Sequence, residues 1–321
     1  MQKNIDNIME QRLLKIGAVS LKKAALNEDA KEFILKNETL FKVLKKAADR
    51  YIGGETLDET IIKVKNQNKN GFKCSMEFMG ENTLTEKEAN EATNEFIQIV
   101  QAIKNKNLNS TISLDLSHIG LAISKELCLN NLDSILKEAK NQNTEVIISA
   151  EGVERTDDII KTYKNLSKTY DNVSITLQAY LHRTKDDFKD LIEESGRIRM
   201  VKGAFETPKH LSIPRGKKLD SIYLNYVDQL LSKNHKCSIA THHYEIQQET
   251  IKLIQKYKTN NDVYEFESLY GIQTEQLIEL KRQGYATKLY FVYGKEWYLY
   301  LCNRIAEFPM NIFQGISDIV Q

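Results

Sequence analysis

Short apolar runs and longer amphipathic stretches alternate along most of this chain. The runs are KCSMEFM (73–79), TISLDLS (111–117), EVIISAE (145–151), VSITLQA (173–179), RIRMVKG (197–203), KCSIAT (236–241), DVYEFES (262–268) and TKLYFV (287–292). Their β-branched and aromatic content and their length predict strands. Between them, stretches such as EKEANEATNEFIQIVQAI, LDSILKEAKN and YEIQQETIKLIQKY space apolar residues three and four apart and predict helices. KEWYLYLCNRIAEF continues that pattern after the last run. Eight strand–helix units over ~260 residues predict an α/β fold, a (β/α)8 barrel rather than an open doubly wound sheet. No GxGxxG follows an early run, so a dinucleotide-binding open sheet lacks its phosphate turn.

Upstream, RLLKIGAVSLKKAAL and AKEFILKNETLFKVLKKAADRYI have helical spacing, with Gly53-Gly54 as a helix stop. The predicted organisation is a helical arm (1–55) followed by the barrel (56–321). No Gly/Ser-rich linker separates them.

Composition narrows the function. With 321 residues, 41% of them hydrophobic, the chain can bury a large core. Lys+Arg is 45 and Asp+Glu 44, without the basic surplus of a nucleic-acid binder. KNQNKNGFK reads as a solvated loop. Cys74, Cys128, Cys237 and Cys302 are scattered, with no CxxC, and read as reduced, buried thiols. The N-terminus is too charged for a signal peptide, and no run reaches the roughly 18 apolar residues of a spanning helix. The expectation is a cytoplasmic protein.

In a (β/α)8 barrel, chemistry sits at the C-terminal ends of the strands. Polar residues at or near the predicted ends are Glu81, Asp115 with His118, Ser149 with Glu151, Gln178, Arg199 with Lys202, Thr241 with His242, Glu265 with Glu267, and Tyr290. The most informative stretch is GRIRMVKGAFETP (196–208). Arg199 and Lys202 bring fixed positive charge, and Gly203, lacking Cβ, lets backbone approach a ligand. That suits a phosphate, a carboxylate or a ring that takes on negative charge. His242 and His243 are adjacent and point to opposite faces of a strand, so they make no metal pair. Trp297 reads as helix packing.

RMVKGAFETP resembles the fifth-strand signature of the proline dehydrogenases, and the resemblance runs through nearly the whole chain. MEFMGEN (76–82), ISLDLSHIGL (112–121), IISAEGVERT (147–156) and LQAYLHRT (177–184) are similar to the preceding strand motifs. KKLDSIYLNYVDQLL, IATHH, YEFESLYGI and KLYFVYGKEWYLYLCNRIAE follow in the family's order. The resemblance implies a short, monofunctional flavoenzyme with FAD across the mouth of a distorted barrel. It implies hydride transfer from the carbon beside the L-proline nitrogen to flavin N5, giving Δ1-pyrroline-5-carboxylate, and reoxidation by a quinone-type acceptor, with transient membrane contact. The implied cofactor-binding residues are Gln178, Arg199, Val201, Lys202, Gly203, Ala204, Thr241, His242 with His243, and Glu307. Tyr290 and Tyr300 would wall the proline ring.

The same resemblance exposes departures. The family's last helix reads Tyr-x-x-Arg-Arg-x-x-Glu, and here Asn303 stands where the first arginine belongs, followed by Arg304. Glu81 is thereby left without the arginine it pairs with in the family. Asp115 replaces the second-strand lysine, Ser149 the third-strand aspartate, and Phe205 a tyrosine. Of three cations implied to hold the substrate carboxylate, only Arg304 remains. Each charge-assisted hydrogen bond contributes roughly 1.5–3 kcal/mol, so the loss is large. Three functions follow: oxidation of L-proline with a neighbour such as Lys288 compensating; oxidation of a proline analogue or secondary amine whose cation pairs with Asp115; or a flavin- or amine-binding sensor without turnover.

Overall fold

The structure is a computed structural model that describes residues 12, 13, 16–21, 23, 27–307 and 317, without the side chains of Ala30 and Glu307. Of the predicted helix at RLLKIGAVSLKKAAL, residues 12, 13, 16–21 and 23 are described and helical, and the rest lie outside the described residues. The elements that follow are α1 (Glu28–Lys36), α2 (Glu38–Ala48) and α3 (Leu57–Lys69). Strands and helices then alternate. They run β1 (Lys73–Phe78), α4 (Glu86–Asn105), β2 (Ser110–Leu114), α5 (Lys125–Asn141), β3 (Val146–Ile148), α6 (Thr156–Leu166), β4 (Val173–Gln178) and α7 (Thr184–Leu191). The second half runs β5 (Ile198–Val201), α8 (Lys217–Ser232), β6 (Cys237–Ala240), α9 (Tyr244–Tyr257), β7 (Tyr264–Leu269), α10 (Thr274–Arg282), β8 (Thr287–Tyr293) and α11 (Trp297–Glu307). The strands close a parallel barrel in chain order.

Strand register explains which residues fill which layer. Leu114, Ile148, Ile175, Ile198, Cys237 and Tyr264 lie side by side across six neighbouring strands. All are buried and apolar or nearly so, the row that packs under the helices. The alternate row carries Thr176, Arg199, Ser238 and Glu265 in register. Side-chain bonds across the barrel put this row inside: Arg199 reaches Ser113 on β2 and Glu267 on β7. The interior is thus polar, where such barrels more often hold Val, Ile and Leu.

Two compact units divide the chain: residues 1–61 with 292–321, and residues 62–291. In the first, Phe41 of α2 meets Trp297 of α11 edge-on with ring centroids 5.4 Å apart. The Trp297 indole N–H donates to Glu55 at 2.7 Å, and Lys31 pairs with Glu296 at 2.9 Å. Trp297 is the packing residue its pattern suggested. The predicted helix stop at Gly53-Gly54 falls late: α2 ends at Ala48, and the glycines form a turn in which the Gly53 N–H donates to the Val292 carbonyl at 2.8 Å.

In the second unit, KNQNKNGFK is not a solvated loop. Its first half completes α3, which starts at a capping pair. The Thr56 hydroxyl accepts from the Glu59 N–H at 3.3 Å, and Glu59 accepts from the Thr56 N–H at 3.2 Å. Asn68 donates to the Phe72 and Asn109 carbonyls and accepts from the Asn109 N–H at 2.9 Å. A side chain that looks solvated by type ties α3 to the entries of β1 and β2. α5 begins at Lys125, seven residues before the stretch that predicted it, because Ser124 caps the Leu127 N–H at 3.2 Å.

Candidate active site

Arg199 is the fixed point of the barrel's C-terminal half. It is buried, and its guanidinium is held from four strands. Nε donates to Thr176 at 2.8 Å and Nη2 to Ser149 at 3.1 Å. Nη1 donates to Ser113 at 2.8 Å and to Glu267 at 3.2 Å. Glu267 balances the charge, and the hydroxyls set the plane. One of the five guanidinium N–H groups is left after these contacts. The Tyr290 ring lies 5.1 Å from the guanidinium carbon, a cation–π distance.

Next to Arg199 sit carboxylates. Glu77, inside β1, accepts hydrogen bonds from the Tyr290 hydroxyl and from Ser149 Oγ, the latter at 3.1 Å. Asp115 follows β2. Burial, then the charges of Glu77, Glu151 and Glu81, push its carboxyl well above the usual range, against the pull of Arg199. Burial likewise raises Glu77, opposed by Tyr290, Arg199 and Ser149. Tyr290 is raised well above an ordinary phenol by burial and by Glu77. Asp115 therefore stands where extra negative charge is unwelcome.

The loop carrying Glu81 is pinned rather than loose. The Asn82 N–H donates to Ser117 Oγ at 3.2 Å, Thr83 Oγ1 donates to the Ser117 carbonyl at 3.0 Å, and Arg155 reaches Asn82. The buried Glu151 accepts from the Ser117 N–H at 3.0 Å, and Gln178 donates to the Glu151 carbonyl at 2.9 Å. The ends of β1 to β4 thus form one hydrogen-bonded rim. His118 packs beneath it, its ring stacked on Phe78 at 5.1 Å.

β5 leaves the barrel through Val201, Lys202, Gly203, Ala204 and Phe205. Gly203 has φ +111°, and a Cβ there would meet the Tyr180 ring at 2.1 Å. The glycine makes room for Tyr180, not only for an approaching ligand as the sequence suggested. Tyr180 in turn donates to the Phe205 carbonyl at 3.1 Å and bonds Thr207 at 2.7 Å. Lys202 bonds Asp220 at 2.6 Å and His243 Nδ1 at 3.0 Å. His242 instead accepts from the Leu269 N–H on β7 at 3.1 Å; the two histidines face different neighbours, but not as alternate positions of a strand, since β6 ends at Ala240 and His243 is the N-cap of α9. Thr241 Oγ1 accepts from the His243 N–H at 3.1 Å.

One expected member of the rim lies elsewhere. Glu265, one residue into β7, sits in the lower half of the barrel. It binds Lys288, accepts from Ser238 at 2.5 Å, and lies 3.7 Å from Arg197. Lys288 is fully buried between Glu265 and Glu267, 3.0 Å from the latter. It is committed there and does not replace the cation missing at Asp115. Within the other unit, α11 carries Tyr300, Asn303 and Arg304, with the Arg304 guanidinium 4.9 Å from the Tyr300 ring. The Glu307 side chain lies outside the described residues. Sequence reasoning missed Glu77, Tyr180, Asp220 and the Ser113–Thr176 clamp. For Glu77 the available signal was Ser75 and Glu77 alternating with apolar Cys74, Met76 and Phe78.

Among the described residues, no group of three His, Cys, Asp or Glu side chains could hold a metal, and no helix is long and apolar enough to cross a membrane. The sequence profile of the proline dehydrogenase family matches residues 60–308. Proline dehydrogenase 1 of Bacillus subtilis (strain 168) is 33% identical over 293 residues, 88% of this chain and 97% of its own length. Proline dehydrogenase of Deinococcus radiodurans is 28% identical over 277 residues, 84% of this chain and 89% of its own. In fold, the chain is similar to the crystal structure of proline utilization A from Bdellovibrio bacteriovorus inactivated by N-propargylglycine. The TM-score is 0.79 at 19% identity, over 92% of this chain and 37% of that one. The chain belongs to the proline dehydrogenase family.

Proposed function

We propose that this family member is a flavoenzyme that oxidises L-proline to Δ1-pyrroline-5-carboxylate at the C-terminal mouth of its barrel. The observation that carries the proposal is the buried, strand-held Arg199 beside Tyr290, with one N–H still to give. The donor set suits FAD: a fixed guanidinium, the Gln178 amide, the Thr241 hydroxyl, and a Lys202–Gly203 backbone turn at positive φ. When bound, FAD supplies N5 as the acceptor of the hydride leaving the carbon beside the nitrogen, and a quinone-type acceptor, met at a transient membrane contact, takes the electrons on.

The chain's own residues do the rest. Arg199 and Lys202 hold positive charge against the cofactor, with His242, His243 and Ala204 alongside; the family resemblance adds Glu307. Tyr290 walls the substrate ring; the family resemblance gives the same role to Tyr300 and assigns Phe205 to the pocket. The family resemblance assigns the substrate carboxylate to Arg304, with Asn303 as a neutral partner, while the Ser149 hydroxyl donates to Glu77. Glu81 borders the entrance.

A second reading is favoured by Asp115. Its carboxyl faces Glu77, Glu81 and Glu151, with Arg199 as the opposing cation. A secondary amine without a free carboxylate would meet less repulsion there than proline does. Anaerobic titration of the FAD-loaded protein separates the readings. Bleaching of the flavin band by L-proline at modest concentration supports proline oxidation. Bleaching only by cyclic or secondary amines lacking a carboxylate overturns it in favour of the second reading. Flavin that binds but bleaches with no amine leaves a sensor.

A further inference from the structure

The reaction above assigns no part to Glu77, yet its carboxylate holds three groups of the site together. Oε2 accepts from the Tyr290 hydroxyl and, at 3.1 Å, from the Ser149 hydroxyl. Ser149 accepts in turn from Arg199 Nη2 at 3.1 Å, and Arg199 lies 5.1 Å from the Tyr290 ring. The contacts close a circuit through β1, β3, β5 and β8. A backbone strand fixes where a side chain starts, but a hydroxyl rotates until an acceptor captures it. Here both hydroxyls are captured by one oxygen of a carboxylate only 9% exposed. If the carboxylate merely filled space, a buried charge so placed would be costly. Its partners satisfy it, and it orders them.

We propose that Glu77 is a positioning residue of this active site: it sets the Tyr290 hydroxyl and ring against the substrate, and through Ser149 it holds the Arg199 plane. The substrate's place against Tyr290 rests on the function proposed above; the circuit itself does not.

Glu77→Gln keeps shape and loses charge, and Glu77→Ala removes the acceptor. Tyrosine labelled with carbon-13 at Cζ gives one NMR signal per ring, and Tyr290 is assigned by its loss in Tyr290→Phe. The Tyr290 signal is expected to move in both Glu77 variants, with and without FAD. The KM of the oxidised amine is expected to rise about tenfold in Glu77→Ala, with partial recovery in Glu77→Gln. Tyr290→Phe should then cost much less in the Glu77→Ala background than alone. An unmoved Tyr290 signal overturns the proposal. So does a signal that moves while KM stays at the wild-type value or the two substitutions simply add, since Glu77 would then be structural only. If Glu77→Ala fails to fold, Glu77→Gln carries both readouts. If wild type oxidises no amine, the proposed function fails, and the NMR result still decides whether Glu77 sets Tyr290.

Discussion

Asp115 and His118 stand three residues apart and titrate in opposite senses. Asp115 keeps its proton well above the ordinary carboxyl range, so below its raised pKa it is neutral and tolerates a substrate carboxylate. As pH rises through that pKa it becomes an anion and repels. The KM for L-proline is therefore expected to climb with pH in wild type. In Asp115→Asn the climb should flatten, as KM measured across pH will show. His118 is lowered to about 4, chiefly by burial. The unfolded chain then binds a proton that the folded chain refuses. Stability is full above about pH 6.5 and is lost as pH falls towards 4, by about 3 kcal/mol. Urea unfolding at pH 7 and 4.5 should show that loss in wild type and not in His118→Asn. Asp115 was legible in the sequence because it breaks a motif. Glu77 was not, because a glutamate alternating with apolar residues looks like the solvent face of a strand. Only the closed barrel turns that face inward.

At the scale of elements, the turn leaving β5 is built around a missing side chain. Gly203→Ala adds a left-handed φ penalty to a clash with the Tyr180 ring. The expected cost is about 2–4 kcal/mol by thermal unfolding, with FAD affinity falling alongside because the Lys202–Phe205 segment must move. The order and type of the barrel strands were readable from the apolar runs, since each run had to bury one face. Ends were less readable. α3 hides in a run of Lys and Asn because its buried apolar pair, Ile61 and Val64, lies before that run, and the capping pair and the Asn68 bridges carry the rest. The depth of Glu265 escaped because period-two alternation gives the face of a residue but not its level in the barrel.

For the molecule as a whole, the notable feature is a barrel interior stitched by charge. Lys288 lies between Glu265 and Glu267, and Arg197 joins Glu265 to Glu145, 3.0 Å away. Glu265 is held well below the carboxylate range by Lys288 and Arg197 despite its burial. Its contribution to stability is present above the unfolded carboxylate range and is lost progressively as pH falls from that range towards its lowered folded value. Lys288→Met strands two buried carboxylates, and a loss of about 3–5 kcal/mol is expected in denaturant unfolding, with acid unfolding moved to higher pH. The four cysteines are buried, and burial pushes Cys74, Cys128 and Cys237 up to about 12, so thiol reagents should find them slow. The polar interior also has a calorimetric consequence. Unfolding it hydrates charged and hydroxyl surface, which lowers heat capacity, while the apolar layer under the helices raises it. The barrel's heat-capacity increment should fall below the common value of about 12–15 cal/mol/K per residue. Its stability curve would then be unusually flat, changing little between cold and warm conditions.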